Sequence, residues 1–294
     1  MTEKLEMTEK KVALVTGSSS GIGYETALLL AKNGYHTYAT MRNLDKSSRI
    51  KEIAKKDNLP VEVLQLDVAD DKSVTDAISE ISNKQARIDV LVNNAGYDVT
   101  GAVEELSMDE IKAQFETNFF GAVRVMKAVL PIMRKQKSGV IVNTSSIGGL
   151  IGVPLNSAYV GSKFALEGFS ESMKYELEDF GIKIILIEPG AVQTNFIQNT
   201  ILPKKVTNSD SPYAEFSKKV SEGVRAAFDM ANASVPSQVA EVILNAIKSD
   251  RPNTRYLVGR DAVAIKERRK NSSDFELEHW IKESLLDQKG FAGK

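Results

Sequence analysis

A chain of 294 residues with 42% hydrophobic and 26% charged side chains has the make-up of a globular protein, long enough for one large α/β domain or two small ones. Its 38 Lys+Arg against 39 Asp+Glu leave a net charge of −1, which gives no electrostatic footprint for nucleic acid or an anionic membrane. The absence of cysteine excludes disulfides and thiolate metal sites, and the two histidines, His36 and His279, are too far apart to suggest a zinc site.

The N-terminal residues Met1–Glu6 lack the apolar core of a signal peptide, and no apolar run is long enough to span a membrane, so a cytoplasmic location is expected. Met-Thr-Glu-Lys occurs at both Met1 and Met7, and residues 1–10 are expected to form a flexible extension. The first strand is expected at Val12–Thr16. It runs into Gly17-Ser18-Ser19-Ser20-Gly21-Ile22-Gly23, with a helix over Gly21–Lys32. Glycines let a backbone turn tightly and approach a pyrophosphate, whose charge then meets the N–H groups of a helix N-terminus. Strand, glycine turn and helix thus resemble the opening of a dinucleotide-binding βαβ unit. Alone, the cluster is also compatible with a surface turn, and no G-K-[ST] follows to suggest a triphosphate loop.

Further strands are expected at His36–Thr40, Val61–Leu66, Val90–Val92, Val140–Asn143, Lys183–Ile187 and Tyr256–Val258. Helices are expected near Asp45–Lys56, Asp71–Lys84, Ser107–Lys135, Ser157–Asp179 and Ser237–Lys248. Seven short apolar strands joined by helical crossovers predict an α/β fold: a Rossmann-type, doubly wound parallel sheet with helices on both faces. Residues 11–294 are expected to form one such domain. Within it, a substrate flap lies near 195–231, where Tyr213, Phe216, Val220, Val224 and Ala227 recur at helical spacing. Core packing is the favoured reading of that stripe, whose position after the sixth strand also suits a flap. A helical tail is expected near 262–294, with the basic cluster at Lys266–Lys270 as a solvated helix end.

The second strand ends in Thr40-Met41-Arg42 with no acidic residue. A carboxylate there would accept the ribose 2′-hydroxyl of NAD, whereas an arginine suits the 2′-phosphate of NADP, so NADP(H) is expected in preference to NAD(H). Of the eight tyrosines only Tyr159 has a lysine four residues on, and Tyr159 and Lys163 share one helix face. A nearby ammonium favours phenolate, so Lys163 is expected to lower the Tyr159 pKa and make it a general acid or base.

These motifs combine with Asn93-Asn94-Ala95-Gly96, with Ser146 thirteen residues before Tyr159, and with Pro189-Gly190-x-Val192-x-Thr194. Together, in this order over about residues 11 to 260, they resemble the short-chain dehydrogenase/reductase family. The stretch from Ser146 to Tyr159 and the long C-terminal region look most like its 17β-hydroxysteroid and retinol dehydrogenase branch. The resemblance implies hydride transfer between NADP(H) and a carbonyl/alcohol pair. Tyr159 would be the proton donor or acceptor, Lys163 would bind the nicotinamide ribose, and Ser146, in preference to Ser145, would hold the substrate oxygen. Asn118 would link Lys163 to solvent through water. It implies cofactor contacts from Gly17, Ser19, Ser20, Gly21, Ile22, Gly23 and Arg42, from Asp67 and Val68 at the adenine, and from Asn94, Ala95 and Gly96. Pro189, Gly190, Val192 and Thr194 would hold the nicotinamide end, while Asn93 braces the central strand.

A homodimer or homotetramer is expected through the helix bearing Phe119, Phe120, Val123, Val125, Met126 and Val129, which is apolar on more than one side; burial inside the monomer is the competing account. Val153, Pro154 and Leu155, with Tyr97, Phe196 and the Tyr213–Phe216 stripe, suggest an apolar, steroid-, retinoid- or lipid-sized substrate, and no arginine cluster speaks for an anionic one. A 3-oxoacyl-carrier-protein reductase, a non-catalytic dinucleotide sensor and a methyltransferase are the rival readings. Asp98 stands where relatives of this branch often have a small residue. It is expected as a solvated rim carboxylate, the alternative being discrimination against anionic substrates.

Overall fold

The computed structural model describes residues 10–196, 199–202, 211–228, 233–287 and 290–291. Seven parallel strands form its sheet: β1 (Val12–Val15), β2 (His36–Met41), β3 (Val61–Gln65), β4 (Val90–Asn93), β5 (Gly139–Thr144), β6 (Ile182–Pro189) and β7 (Arg255–Val258). Their order is β3-β2-β1-β4-β5-β6-β7, so the winding reverses between β1 and β4. At that reversal the connections that follow β1 and β4 leave for opposite faces of the sheet, and a crevice lies at the strand C-termini between them.

Alternation along each strand sends side chains to two separate cores. Val12, Leu14, Tyr38, Leu91 and Ile141 face one way and pack beneath α3 (Asp71–Gln85), α5 (Gly121–Gln136) and α6 (Ser157–Leu177). Ala13, Val15, Ala39, Val92, Val142 and Ile185 face the other, under α1 (Gly21–Lys32), α2 (Ser48–Lys56) and α8 (Pro236–Lys248). Both faces of the central strands are therefore dry, as the uninterrupted apolar runs require.

The helix expected over Ser107–Lys135 is two helices. Ser107 caps α4 (Met108–Phe115) through a reciprocal bond with Glu110. A single π-turn at Glu116–Phe120 then widens the coil before α5 begins, with the Gly121 N–H reaching back to the Glu116 carbonyl. Val125, Met126 and Val129 are buried in the monomer core, and Phe119 lies edge-on to Phe169 at 5.6 Å, while Phe120 remains 49% exposed. Burial thus accounts for most of the apolarity that suggested a subunit interface; Phe120 is the part it leaves over.

Beyond the sheet, α7 (Ala214–Ala227), α9 (Arg260–Asn271) and α10 (Asp274–Leu285) gather a third core. Ala262, Ile265, Leu277, Leu285 and Phe291 pack there with Ile147 and Ile151, so the C-terminal tail lies against the loop that follows β5. Val224 and Ala227 from the helical stripe join this core, as core packing requires, whereas Phe216 stays exposed. Of the segments read from sequence, residues 1–9 of the extension and 197–198, 203–210 and 229–231 of the flap lie outside the described residues. Among the described residues no helix is long and apolar enough to cross a membrane.

Candidate active site

The crevice is floored by two loops that hold each other. The Thr16 hydroxyl accepts from the backbone N–H groups of Asn94 (3.0 Å) and Ala95 (3.1 Å), and the Asn94 amide donates back to the carbonyls of Thr16 and Gly17 (3.1 and 3.2 Å). Gly17 has a φ of +69° and passes so close to the second loop that a Cβ on it would stand 2.8 Å from the Ala95 Cα. On Gly23 a Cβ would come within 2.5 Å of the Gly17 carbonyl oxygen. No side chain larger than hydrogen fits either place.

Above this floor the first turn of α1 is open. Ser20 occupies the cap position without bonding a backbone N–H, and the turn carries no acidic residue. Its free N–H groups and the helix dipole form a site for an anion. Ser19 is half-buried and Ser20 exposed on the same loop, while Ser18 is buried and tethers the loop to β1 through the Val15 carbonyl. Ile22 packs at the edge of the core beneath α1.

Arg42 is exposed at the end of β2, and no acidic partner holds it among the described residues. It acts on Tyr97 across the crevice: burial raises the Tyr97 hydroxyl, and Arg42 together with a bond to Thr117 pulls it the other way. Asp67 is half-buried after β3, its carboxylate accepting from the Ala69 N–H at 3.0 Å. Val68 is buried against Gly121, and its carbonyl is held by Arg124 at 2.6 Å. Asn93 braces the sheet, as expected, by donating to Asn143 at 2.9 Å. This arrangement fits a phosphate-bearing dinucleotide: a cradle only glycine permits, an uncapped helix N-terminus and an unpaired cation one strand away.

The second half of the crevice belongs to α6. The Tyr159 ring and the Ser146 hydroxyl both lie over Gly148, where a Cβ would stand 3.1 and 3.6 Å from them, and Ser146 accepts from the Gly148 N–H at 3.1 Å. Ser145 points elsewhere, buried against Glu167 beneath Gly149 with no partner of its own among the described residues. The Lys163 ammonium lies 5.6 Å from the centre of the Tyr159 ring and donates to the Thr144 carbonyl at 2.8 Å. Asn118 projects from the π-turn, donating to the Tyr97 carbonyl at 2.9 Å and accepting from the Tyr97 N–H at 3.1 Å. It lies on Gly96, where a Cβ would be 3.2 Å from its side-chain oxygen, and on Ser162 at 3.4 Å.

The segment after β6 closes the third side. Pro189 ends the strand, Gly190 bonds to the Val258 carbonyl and admits Asp261, and Val192 forms a bridge with Ser234. The Thr194 methyl sits over Gly21, and Phe196 meets the Tyr159 ring edge-on at 5.8 Å.

Three expectations change. Tyr159 is not lowered by its lysine: burial pushes its hydroxyl well above the usual phenol range, with the bond to Ser146 opposing and the charge of Asp98 adding to the rise. Lys163 itself is pulled down to about 8 by burial, Glu167 opposing. Spacing on a helix face reports neighbours and says nothing of the dry surroundings that govern both groups. Asp98 is not a solvated rim carboxylate but 8% exposed, held by Thr100, Asn156 and Thr200. Val153 is turned into the C-terminal core, and Tyr213 donates to Glu104 at 2.6 Å, so neither contributes an apolar wall through its expected face. Thr144 and Asp261, which position the named residues, escaped the sequence reading; their roles arise from contacts across the fold that no local pattern encodes. Among the described residues no group of His, Asp or Glu is placed to hold a metal ion.

A short chain dehydrogenase family profile matches residues 11–204. The human 17-beta-hydroxysteroid dehydrogenase type 1 is 38% identical over 84% of this chain and 77% of its own length. Human retinol dehydrogenase 8 is 40% identical over 83% of this chain and 80% of its own. Among solved structures, a short-chain dehydrogenase from Streptomyces avermitilis superposes with a TM-score of 0.79 at 32% identity, covering 93% of this chain and 97% of that one. An alcohol dehydrogenase from the archaeon Thermococcus sibiricus, complexed with 5-hydroxy-NADP, gives 0.69 at 26% identity over 84% and 95%.

The buried lysine makes stability depend on pH. Lys163 titrates at 10.5 as a free side chain and at about 8 in the folded chain. Between those values the unfolded state binds more protons, so stability rises with pH, while below about 8 the lysine is charged in both states and the full burial cost is present. Lys163→Met removes this titration. Its stability relative to the native chain is expected to fall by on the order of 2 kcal/mol as the pH passes from 8 to 10.5, read by urea denaturation. A difference that stays flat over this range would mean that the ammonium is solvated.

Proposed function

The chain belongs to the short-chain dehydrogenase family, and on that premise we propose that it is an NADP(H)-dependent oxidoreductase acting on an apolar carbonyl or alcohol. The observation that carries this reading is the convergence of three side chains on one crevice: Lys163 lies 5.6 Å from the Tyr159 ring, and Ser146 draws the half-buried Tyr159 hydroxyl down against the rise that burial causes. They lie on the same crevice as a glycine cradle whose close backbone approach suits a dinucleotide.

When bound, the nicotinamide supplies or accepts the hydride. Gly17, Ser19, Ser20, Gly21, Ile22 and Gly23 would hold the pyrophosphate at the open end of α1, and Arg42 would pair with the 2′-phosphate. Asp67 and Val68 would contact the adenine, Asn94, Ala95 and Gly96 would line the cofactor from the floor, and Pro189, Gly190, Val192 and Thr194 would hold the nicotinamide end. Burial keeps the Tyr159 phenol protonated, so it is a donor ready for a carbonyl oxygen, which Ser146 orients. Lys163 carries positive charge beside the phenol ring and steadies the oxyanion left on Tyr159 after its proton has moved. Asn118, fixed on both sides of the Tyr97 peptide, holds the inner end of a path for protons to return. The Phe196 ring on Tyr159 and the exposed Ile201 and Leu202 give the substrate side its apolar character. The steroid and retinol names of the relatives agree with that character.

Assay with NADPH over a series of ketones and aldehydes of rising hydrophobic length tests the assignment; best turnover of short polar carbonyls, or of carrier-protein thioesters alone, would remove the apolar substrate. Tyr159→Phe is expected to lower kcat by at least about 10²-fold while NADPH still binds, as loss of a general acid should. Arg42→Ala is expected to shift the NADPH-to-NADH ratio of kcat/KM by about tenfold towards NADH, the scale of one charge-assisted phosphate contact, and an unchanged ratio would remove the NADP assignment. Phe120 and Phe164, both exposed on neighbouring helical segments, support a homodimer or homotetramer. Light scattering at micromolar concentration is expected to give at least twice the 32.2 kDa chain mass.

A further inference from the structure

Asp98 is a carboxylate that the proposed reaction does not use, yet three segments converge on it. Thr100, on its own loop, donates to it at 2.8 Å, and so does Asn156, the residue that caps α6 three positions before Tyr159. Thr200 reaches it at 3.5 Å from the segment after β6, and the Ile201 N–H bonds to the Asp98 carbonyl at 2.9 Å. Asn156 also bonds Thr100 at 3.1 Å, and Gly101 holds the Leu155 carbonyl at 2.8 Å, so the donors themselves are fixed. Burial raises the Asp98 carboxyl above its usual range, and the bonds from Thr100, Asn156, Thr200 and the Val99 backbone oppose that rise by favouring the ionised, accepting form. No basic side chain pairs with it among the described residues, so its charge is not neutralised where it sits. Phe196, which lies on Tyr159, belongs to the same segment as Thr200. Asp98 is therefore tied to Tyr159 from two directions, through Asn156 at the start of the tyrosine's own helix and through the segment that carries Phe196.

From this geometry we propose that Asp98 is a specificity-determining residue, its fixed negative charge disfavouring substrates that carry an anionic group next to the reacting carbonyl. The proposal rests on the carbonyl-oxidoreductase reading given above. Its physical basis is like-charge repulsion in a partly desolvated site, which rejects a competitor without any loss of contact to the accepted substrate. The charge is also felt at the Tyr159 hydroxyl, in agreement with this placement. A brace without electrostatic effect would give the same hydrogen bonds but no selection by charge, which is what the test separates.

The probes are benzoylformate, whose carboxylate is bonded directly to the reacting carbonyl carbon, and its neutral methyl ester. For the native chain and Asp98→Asn, kcat/KM is measured for both with NADPH, and dissociation constants for both are measured by calorimetry on the protein–NADPH complex. The anion-to-ester ratio is expected to rise at least about tenfold in Asp98→Asn in both measurements, the scale of one unit charge at this depth. A ratio within about twofold of the native one, with both compounds affected alike, would leave Asp98 a brace and overturn the proposal. Asp98→Ser, neutral and still able to accept from Asn156, gives the same comparison should Asp98→Asn fail to fold. If the native chain reduces neither compound, the oxidoreductase reading is decided by the ketone and aldehyde series, while the calorimetric ratio still decides for Asp98. Absence of any binding of the ester to the native complex would overturn the proposal, because no carbonyl pocket would then adjoin Asp98.

Discussion

The site depends on the mutual grip of two loops at the point where the sheet reverses its winding. Thr16 accepts two backbone N–H groups from the loop after β4, and Asn94 returns two bonds to the loop after β1. Each loop satisfies the other's buried polar groups, which neither strand's ladder can do once the strands have ended. The close passage of Gly17 over Ala95 follows from that grip, and so does the orientation of the α1 N-terminus. A larger residue at Gly17 would force the loops apart and tilt the helix dipole away from the crevice.

A second set of buried polar contacts sets the depth of α6. Asn143 bridges from the sheet to Ser170 at 2.9 Å, and Lys163 reaches the Thr144 carbonyl. Lower down, Arg255 on β7 joins Glu167 at 2.9 Å and Glu188 at 3.2 Å. Glu188 is fully buried, and burial, with the charge of Glu167 adding to it, pushes its carboxyl up to about 7. Apolar packing would let a long helix slide by fractions of a turn. Directional polar contacts at three heights do not, and they fix the height of Tyr159 relative to Ser146.

Much of this was legible in the sequence, for identifiable reasons. Strand positions showed because both faces of a parallel sheet are buried, so Val12–Val15 and Val90–Asn93 read as unbroken apolar runs. The glycine loop and the Tyr159–Lys163 pair showed because their geometry is local: a turn, and one step along a helix face. What stayed hidden is non-local or environmental. The break in the α4–α5 helix is a matter of hydrogen-bond register, which Glu116–Phe120 carry without a proline or glycine to mark it. The burial of Asp98 depends on donors 58 and 102 residues away in sequence. The direction of the Tyr159 and Lys163 shifts comes from how dry the site is, a property of packing and not of spacing.

The π-turn has a consequence for how this helix tolerates changes in length. A turn closed by an i to i−5 bond contains one residue more than an α-helical turn would need to join the same two flanks. Both flanks are already seated, α4 by its capping box and α5 by Val125, Met126 and Val129 in the core. Deleting one residue from Glu116–Phe120 would restore a regular coil and leave those flanks facing as they do now. The surplus residue therefore belongs to the crevice, because the bulge is what brings Asn118 onto the Tyr97 peptide and against Gly96. In this stretch the number of residues, and not only their identity, decides where Asn118 stands.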